Sequence, residues 1–371
     1  LYHLIFVVKI KNNMRVCILG SGLTALTLAK ALVNQNIFVD ILYHHKNYSL
    51  NQTRTLGISK SNLEYFNKNI LNIDRIIWKL RKIEIYSENL ENEKLLNFKN
   101  SQEHLFSIIK NFQLYEILEK SLLKNKFFKK IKLKKKLIDF EAYDIIINTD
   151  YSSFFTKKFF SRKIVKSYNS LACTTIIKHE KISNNVATQV FTKRGPLAFL
   201  PISESETSIV YSINNLKKNM QESINSLINN YNFKYKIKKI EKLETFELKS
   251  FVLRSYYKNN ILAFGDLLHR IHPLAGQGFN MTIRDLKILI TIIREKIDLG
   301  LPLDKSVCYE FEKKIKHKNY IFLTGIDFIN EFFNFENKFK SNVLSKSIKL
   351  FGNLPSVNKM FIKIADEGIM F

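Results

Sequence analysis

Cysteine is scarce in this chain: Cys17, Cys173 and Cys308 are its three thiols, and Trp78 its one tryptophan, among 371 residues. The cysteines are odd in number, widely spaced and form no CxxC pair, which argues against a disulfide framework and a zinc site. Reduced thiols and a reducing, cytoplasmic setting are expected. No apolar run reaches the length of a transmembrane helix. The run Leu4-Ile5-Phe6-Val7-Val8 is too short for a signal-peptide core and has no cleavage site. Met14 directly precedes the first strand and is the expected native start, with a disordered or artefactual leader before it.

Acidic residues are also short: 33 against 59 Lys and Arg, for a net charge of +26. Taken alone, that excess suggests an anionic partner such as nucleic acid, acidic lipid or phosphate. The basic residues are spread along the chain, however. Lys, Asn and Ile are abundant, while Gly numbers 11 and Pro 5. This is the composition of an AT-rich coding sequence, which raises the pI without a functional cause. Neither zinc-finger spacing nor an RNA-binding aromatic motif is present, so no nucleic-acid partner is expected. Hydrophobic content of 46% and charged content of 25% are those of a globular chain long enough for two or more domains.

The few glycines are concentrated in two places. Strand Arg15–Leu19 leads into Gly20-Ser21-Gly22-Leu23-Thr24-Ala25, then helix 26–34 and strand 38–42. This is a βαβ unit with a G-x-G-x-x-A loop, the dinucleotide fingerprint. Gly20 permits the tight turn, Gly22 leaves room for a pyrophosphate, and Ala25 keeps helix and strand close. An acid normally ends the second strand of such a unit to hold ribose hydroxyls. Tyr43 stands there instead, with His44 and His45 after it.

The second concentration follows the apolar run 261–264. It reads Gly265-Asp266-Leu267-Leu268-His269-Arg270-Ile271-His272-Pro273-Leu274-Ala275-Gly276-Gln277-Gly278-Phe279-Asn280, ahead of a helix over 281–294. A strand–loop–helix junction is where α/β sheets bind ligands. Its amides and helix dipole suit an anion or an electron-rich ring. This string resembles the second flavin-binding motif of the para-hydroxybenzoate hydroxylase superfamily of FAD monooxygenases. Three further stretches are similar to its ubiquinone-biosynthesis branch. They are Arg54-Thr55-Leu56-Gly57-Ile58-Ser59, the strand end Asn148-Thr149-Asp150-Tyr151-Ser152-Ser153, and Gly195-Pro196-Leu197-Ala198-Phe199-Leu200-Pro201.

The resemblance implies an α/β fold. A Rossmann-like FAD-binding domain, 14–160 with 250–300, interleaves with a mostly antiparallel sheet substrate domain, 161–249, and helices fill 301–371. It implies FAD held by Gly20, Ser21, Gly22, Thr24, Ala25, Tyr43, Arg54, Asn111, Asp150, Gly265, Asp266, Pro273, Ala275, Gly276, Gln277, Gly278 and Asn280. His272 and Pro273 are expected beside the reacting ring of the flavin, with His269 bonded to backbone and Asp285 bonding within its helix. Leu197, Phe199 and Pro201 are expected to line a lipophilic substrate pocket. The implied activity is ring hydroxylation of a polyprenylated phenol in ubiquinone biosynthesis, through a flavin hydroperoxide, with NADH or NADPH as reductant and O₂ as co-substrate.

The chain departs from the family at Phe112, where an arginine is usual, and at Asn148 and Tyr151, where glycines are usual. These motivate a second reading, a degenerate flavin-fold subunit that binds partner enzymes. Expected partners are a lipophilic phenol or quinol, peripheral contact with the inner face of the membrane, and other ubiquinone-biosynthesis proteins. The basic run Lys124–Lys136 is expected to be a solvated hairpin, or else a membrane-binding one. An amphipathic helix is expected from Ile109, and the C-terminal region reads as helices over 304–320, 321–333, 335–351 and 356–365.

Overall fold

The computed structural model describes residues 14–44, 52–90, 93–99, 104–133, 139–214, 220–270, 277–339, 343–352 and 355–367. In chain order the strands and helices begin with β1 (Arg15–Leu19), α1 (Leu23–Val33), β2 (Phe38–Tyr43), β3 (Thr55–Ser59) and α2 (Lys60–Asn69). Next come β4 (Ile77–Leu80), β5 (Lys82–Ser87), β6 (Glu93–Lys99), β7 (Phe106–Lys110) and α3 (Asn111–Leu123). After these lie β8 (Phe128–Lys132), β9 (Ile145–Asn148), α4 (Phe154–Phe159), β10 (Lys163–His179), β11 (Val186–Thr192), β12 (Gly195–Pro201) and β13 (Glu206–Asn214). Then follow α5 (Met220–Asn230), β14 (Ile237–Ile240), β15 (Glu244–Leu253), β16 (Tyr257–Lys258), β17 (Ile261–Ala263) and β18 (His269–Arg270). The chain ends in α6 (Gln277–Asp298), α7 (Lys305–Phe339), α8 (Val343–Gly352) and α9 (Pro355–Glu367).

The first sheet has the order β16-β17-β9-β1-β2-β8, parallel throughout except for the β16–β17 pair. Its central strands are apolar along their length because they are buried; Val16, Cys17 and Ile18 are fully buried, as are Ile145 and Ile147. The expected Rossmann-like α/β arrangement is therefore present. The second sheet has nine strands, β18-β15-β10-β13-β12-β11-β5-β6, with β14 on β10. It is antiparallel apart from the β5–β11 pair, so residues 82–99 join a sheet otherwise built from the middle of the chain. A three-stranded sheet, β3-β7-β4, bridges the two.

Some boundaries differ from expectation for identifiable reasons. Residues 106–110 form a strand and the helix starts at Asn111, since Ile108 and Ile109 are buried by pairing with β3 and β4. The basic run is no hairpin: Phe128–Lys132 is an edge strand lying parallel to β2, and residues 134–138 fall outside the described set. Lysine on an edge strand blocks edge-to-edge association. The helices expected over 304–320 and 321–333 are one continuous helix, α7. Neither proline nor glycine capping divides it; Gly325 sits in open space at its surface. Among the described residues no helix is long and apolar enough to cross a membrane.

Candidate active site

The carboxyl ends of β1, β9 and β17 converge on a cavity of about 660 Å³. Gly20 turns the chain out of β1 behind the cavity and does not itself line it. Its φ is +108°, and a Cβ there would lie 2.5 Å from Thr149 Oγ1, so only glycine fits. Gly22 has φ −75° and needs no such freedom. Its value is the lack of a side chain at the mouth of α1, where Gly22, Leu23 and Thr24 line the cavity. The first turn of α1 carries no acid, so its amides and dipole face the cavity unopposed. Ser21 and Ala25 are buried against the sheet and do not line it.

Gly265 has φ +66°, and a Cβ there would lie 2.4 Å from Thr24 Cγ2. Two glycine loops separated by most of the chain thus touch in the wall of one cavity. Asp266, Gln277 and Gly278 line the same space. Arg54 and Asn111 line it as well, joined where the Asn111 amide donates to the Arg54 carbonyl at 3.0 Å. Asn111 Oδ1 is buried and has no partner among the described residues. A buried orphan acceptor beside a cavity calls for a donor from a ligand. The glycine-opened walls, the helix N-terminus and this acceptor fit a dinucleotide such as FAD.

Several assigned residues lie elsewhere. Tyr43 is half-buried with Lys130 Nζ 5.1 Å from its ring centre, and does not line the cavity. Lys130 also contacts Glu119 and Tyr115, so the end of β2 is a side-chain cluster rather than a free acceptor. The Asp150 carboxylate accepts from the Ser152 amide and hydroxyl, both at 2.8 Å, which closes a local turn instead. Asn280 is fully buried behind the cavity. Its Oδ1 accepts from the Ser59 amide at 2.9 Å and its Nδ2 donates to the Gly57 carbonyl. It locks β3 to α6 and, with no exposed surface, does not line the cavity. His272, Pro273, Ala275 and Gly276 lie outside the described residues.

The histidine expected on backbone finds a carboxylate. His269 Nε2 lies 2.6 Å from Asp285 Oδ2, and Asn319 Nδ2 donates to both Asp285 oxygens at 3.2 and 3.3 Å. Tyr151 stands without backbone strain where the family has glycine, because outside glycine only Asn36 and Asn259 have positive φ among the described residues. Asn148 does the turning: its Oδ1 accepts from the Asp150 amide at 3.0 Å, and its Nδ2 donates to Thr156 Oγ1 at 2.8 Å.

The floor of the cavity is the face of the nine-stranded sheet, and here strand alternation overturns an expectation. Leu197 and Phe199 point to the opposite face, into a separate core with Ile224, Ile228 and Tyr235. Pro201 is buried and off the cavity too. Their neighbours Ala198 and Leu200 line it, with Ile83, Ile85, Val210 and Phe246. Period-2 alternation assigns one set of β12 side chains to each face, and the apolar string alone does not say which. Ile362 and Asp366 of α9 were not foreseen as lining residues. Asp366 Oδ1 accepts from the Ser61 amide at 2.9 Å, capping α2 across a separation of 305 residues. No local pattern could have announced that contact.

A parallel sheet with two glycine loops on one cleft, set over an antiparallel sheet, is the fold of FAD-dependent monooxygenases. Solved structures agree. The p-nitrophenol 4-monooxygenase PnpA from Pseudomonas putida superposes with a TM-score of 0.75 at 11% identity, covering 96% of this chain and 100% of that one. Klebsiella pneumoniae HpxO, complexed with FAD and uric acid, gives 0.74 at 10% identity over 96% and 97%. At the sequence level, a family described as FAD binding domain matches residues 157–298. The chain is similar to the ubiquinone biosynthesis monooxygenase COQ6 of Drosophila melanogaster, 25% identical over 52% of this chain and 49% of that one. It is also similar to the 3-demethoxyubiquinol 3-hydroxylase of Escherichia coli, 28% identical over 38% and 37%. These relatives bear out the resemblance read from the motifs. The matched stretch spans about half the length of the Drosophila relative or less.

Proposed function

We propose that this protein is an FAD-dependent monooxygenase that hydroxylates the ring of a polyprenylated phenol in ubiquinone biosynthesis. The observation that carries the reading is the Gly265–Thr24 contact, which puts both glycine loops on one cleft above an apolar sheet face. In this reading Gly22, Thr24, Arg54, Asn111, Asp266, Gln277 and Gly278 hold FAD. Bound FAD supplies the electron transfer and the oxygen chemistry. The balance is that NADH or NADPH gives a hydride and solvent a proton, O₂ gives one oxygen atom to the ring, and the other leaves as water.

The chain's own part is positional. The N-terminus of α1 and Arg54 neutralise the pyrophosphate. Asp266 accepts from sugar hydroxyls. Ala198, Leu200, Val210 and Phe246 exclude water and place an apolar ring and its tail by burial. The domain division is 14–160 with 250–300 for cofactor, 161–249 for substrate, with strands 82–99 added to the latter, and 301–371 as a helical cover. Exposed Leu350 and Met360 on the C-terminal helices are the proposed contact with the inner face of a membrane, from which a lipophilic substrate would come. The test is an absorption spectrum of the purified protein followed by NAD(P)H oxidation with and without a short-chain prenylphenol. A colourless protein that takes up no FAD sinks the reading.

The second reading, a flavin-fold subunit that binds other ubiquinone-biosynthesis proteins without turnover, is favoured by one observation: neither Tyr43 nor Asp150 faces the cleft. Substrate-stimulated NAD(P)H oxidation eliminates it.

A further inference from the structure

We propose that Tyr151 is a positioning residue for the flavin, a side-chain latch that fixes Asp266 in the cleft. The inference rests on the proposal that the cleft holds FAD. It starts from where a backbone ladder stops. Strands β9 and β17 are paired from Ile146↔Ile261 to Asn148↔Ala263, and the last main-chain bond runs from the Phe264 amide to the Asn148 carbonyl at 2.9 Å. Beyond it both chains leave the sheet. One enters the turn at Thr149 and the other is turned by Gly265 at φ +66°. These two loops form adjoining walls of the cleft, and among the described residues no backbone bond ties one to the other past Phe264.

Tyr151 supplies the missing tie. Its hydroxyl donates to the main-chain carbonyl of Asp266. Its ring stands edge-on to Phe251, with centroids 5.6 Å apart and planes at 89°. The ring is thus clamped at one end by an aromatic contact and at the other by a hydrogen bond. Burial, reinforced by the Asp266 charge, pushes the phenol's ionisation above its ordinary range, so it remains a donor through neutral pH. Tyr151 lines the cleft together with Thr149, Gly22 and Asp266. Glycine, which the related motif carries here, could make neither contact. The substitution thus adds a device. It orients the peptide unit that bears Asp266, whose carboxylate is the proposed acceptor for the cofactor's sugar chain. Preorganising a ligand-binding group lowers the cost of binding.

The experiment is FAD titration of the apoprotein for wild type, Tyr151→Phe and Tyr151→Gly, with the fluorescence of the bound flavin and the apoprotein melting temperature read alongside. Removing the hydroxyl deletes one hydrogen bond, so Tyr151→Phe is expected to raise the Kd for FAD roughly five- to tenfold. Apoprotein melting should stay close to wild type, and bound-flavin fluorescence should rise as the electron-rich phenol is lost. Tyr151→Gly is expected to weaken FAD further. A purely structural role would lower the melting temperature and leave Kd and fluorescence unmoved, which would overturn the inference. So would a Tyr151→Gly variant that binds FAD more tightly than wild type. Tyr151→Phe keeps the test decisive if the glycine variant does not fold. Wild type that binds no FAD removes the flavin reading itself; wild type that binds, with Tyr151→Phe indistinguishable from it, removes only the latch.

Discussion

His269 Nε2 and Asp285 Oδ2 are 2.6 Å apart with both side chains almost wholly out of solvent. The pair crosses from β18, at the rim of the cleft, to the middle of α6, and Asn319 of α7 holds the far side of the carboxylate. Three successive elements are joined by one buried polar cluster. The turn that carries Asp266 is therefore anchored from behind.

Removing one partner of such a pair leaves the other buried and uncompensated. Asp285→Ala is expected to destabilise the protein by about 3–5 kcal/mol. Asp285→Asn retains an acceptor and is expected to cost less. Chemical denaturation of both variants decides it; equal and small losses would show that the cluster contributes little.

Gly265→Ala is expected to abolish FAD uptake or weaken it more than tenfold. The new methyl would meet Thr24 Cγ2 at 2.4 Å in a left-handed backbone. Adding Thr24→Ser removes that methyl and should restore part of the affinity. The remaining deficit reflects a backbone cost of about 1–2 kcal/mol. Equilibrium dialysis against FAD measures both.

On strand β12 adjacent residues should behave oppositely. Ala198→Phe intrudes into the cavity and is expected to raise KM for a lipophilic phenol while leaving the fold intact. Phe199→Ala empties the core beneath α5 and is expected to cost about 3–5 kcal/mol of stability. Denaturation midpoints and steady-state kinetics of the two variants separate the faces; a stability loss at Ala198 equal to that at Phe199 would refute the assignment.

Glu84 gives a pH dependence. Burial alone would raise its pKa, but hydrogen bonds from Lys82, Lys94 and Tyr86 overcome this and bring it down to about 2. A carboxylate depressed on folding contributes stability above its unfolded pKa and loses it as pH falls through the folded value. The contribution is therefore complete above about pH 5 and fades between there and pH 2. Melting temperature against pH should fall less steeply for Glu84→Gln in that window. Parallel curves would show that the ion cluster has no net effect.

Much of the site was legible in the sequence. Gly20, Gly22 and Gly265 stand out because glycine is rare and each lies just past an apolar strand. Strand-then-helix periodicity around them is a local property, set by neighbouring residues. Legible too was the chemical character of 195–201, an apolar string suited to a greasy ligand. Its facing was not, because alternation fixes only that neighbours differ, and the register of β12 against β11 and β13 chooses the side. The same limit applies to Tyr151: the sequence marks only a departure from the family's glycine, and the Asn148 side-chain bonds that make the turn belong to the folded chain.

The residues alone determined the nucleotide-binding βαβ unit, the second glycine loop and the alternation of sheet and helix, since each depends on contacts a few positions away. Only the folded chain decided that Gly265 rests on Thr24 and that Asp366 caps α2. Those are meetings of distant segments, and burial and hydrogen-bond satisfaction across the whole molecule select them.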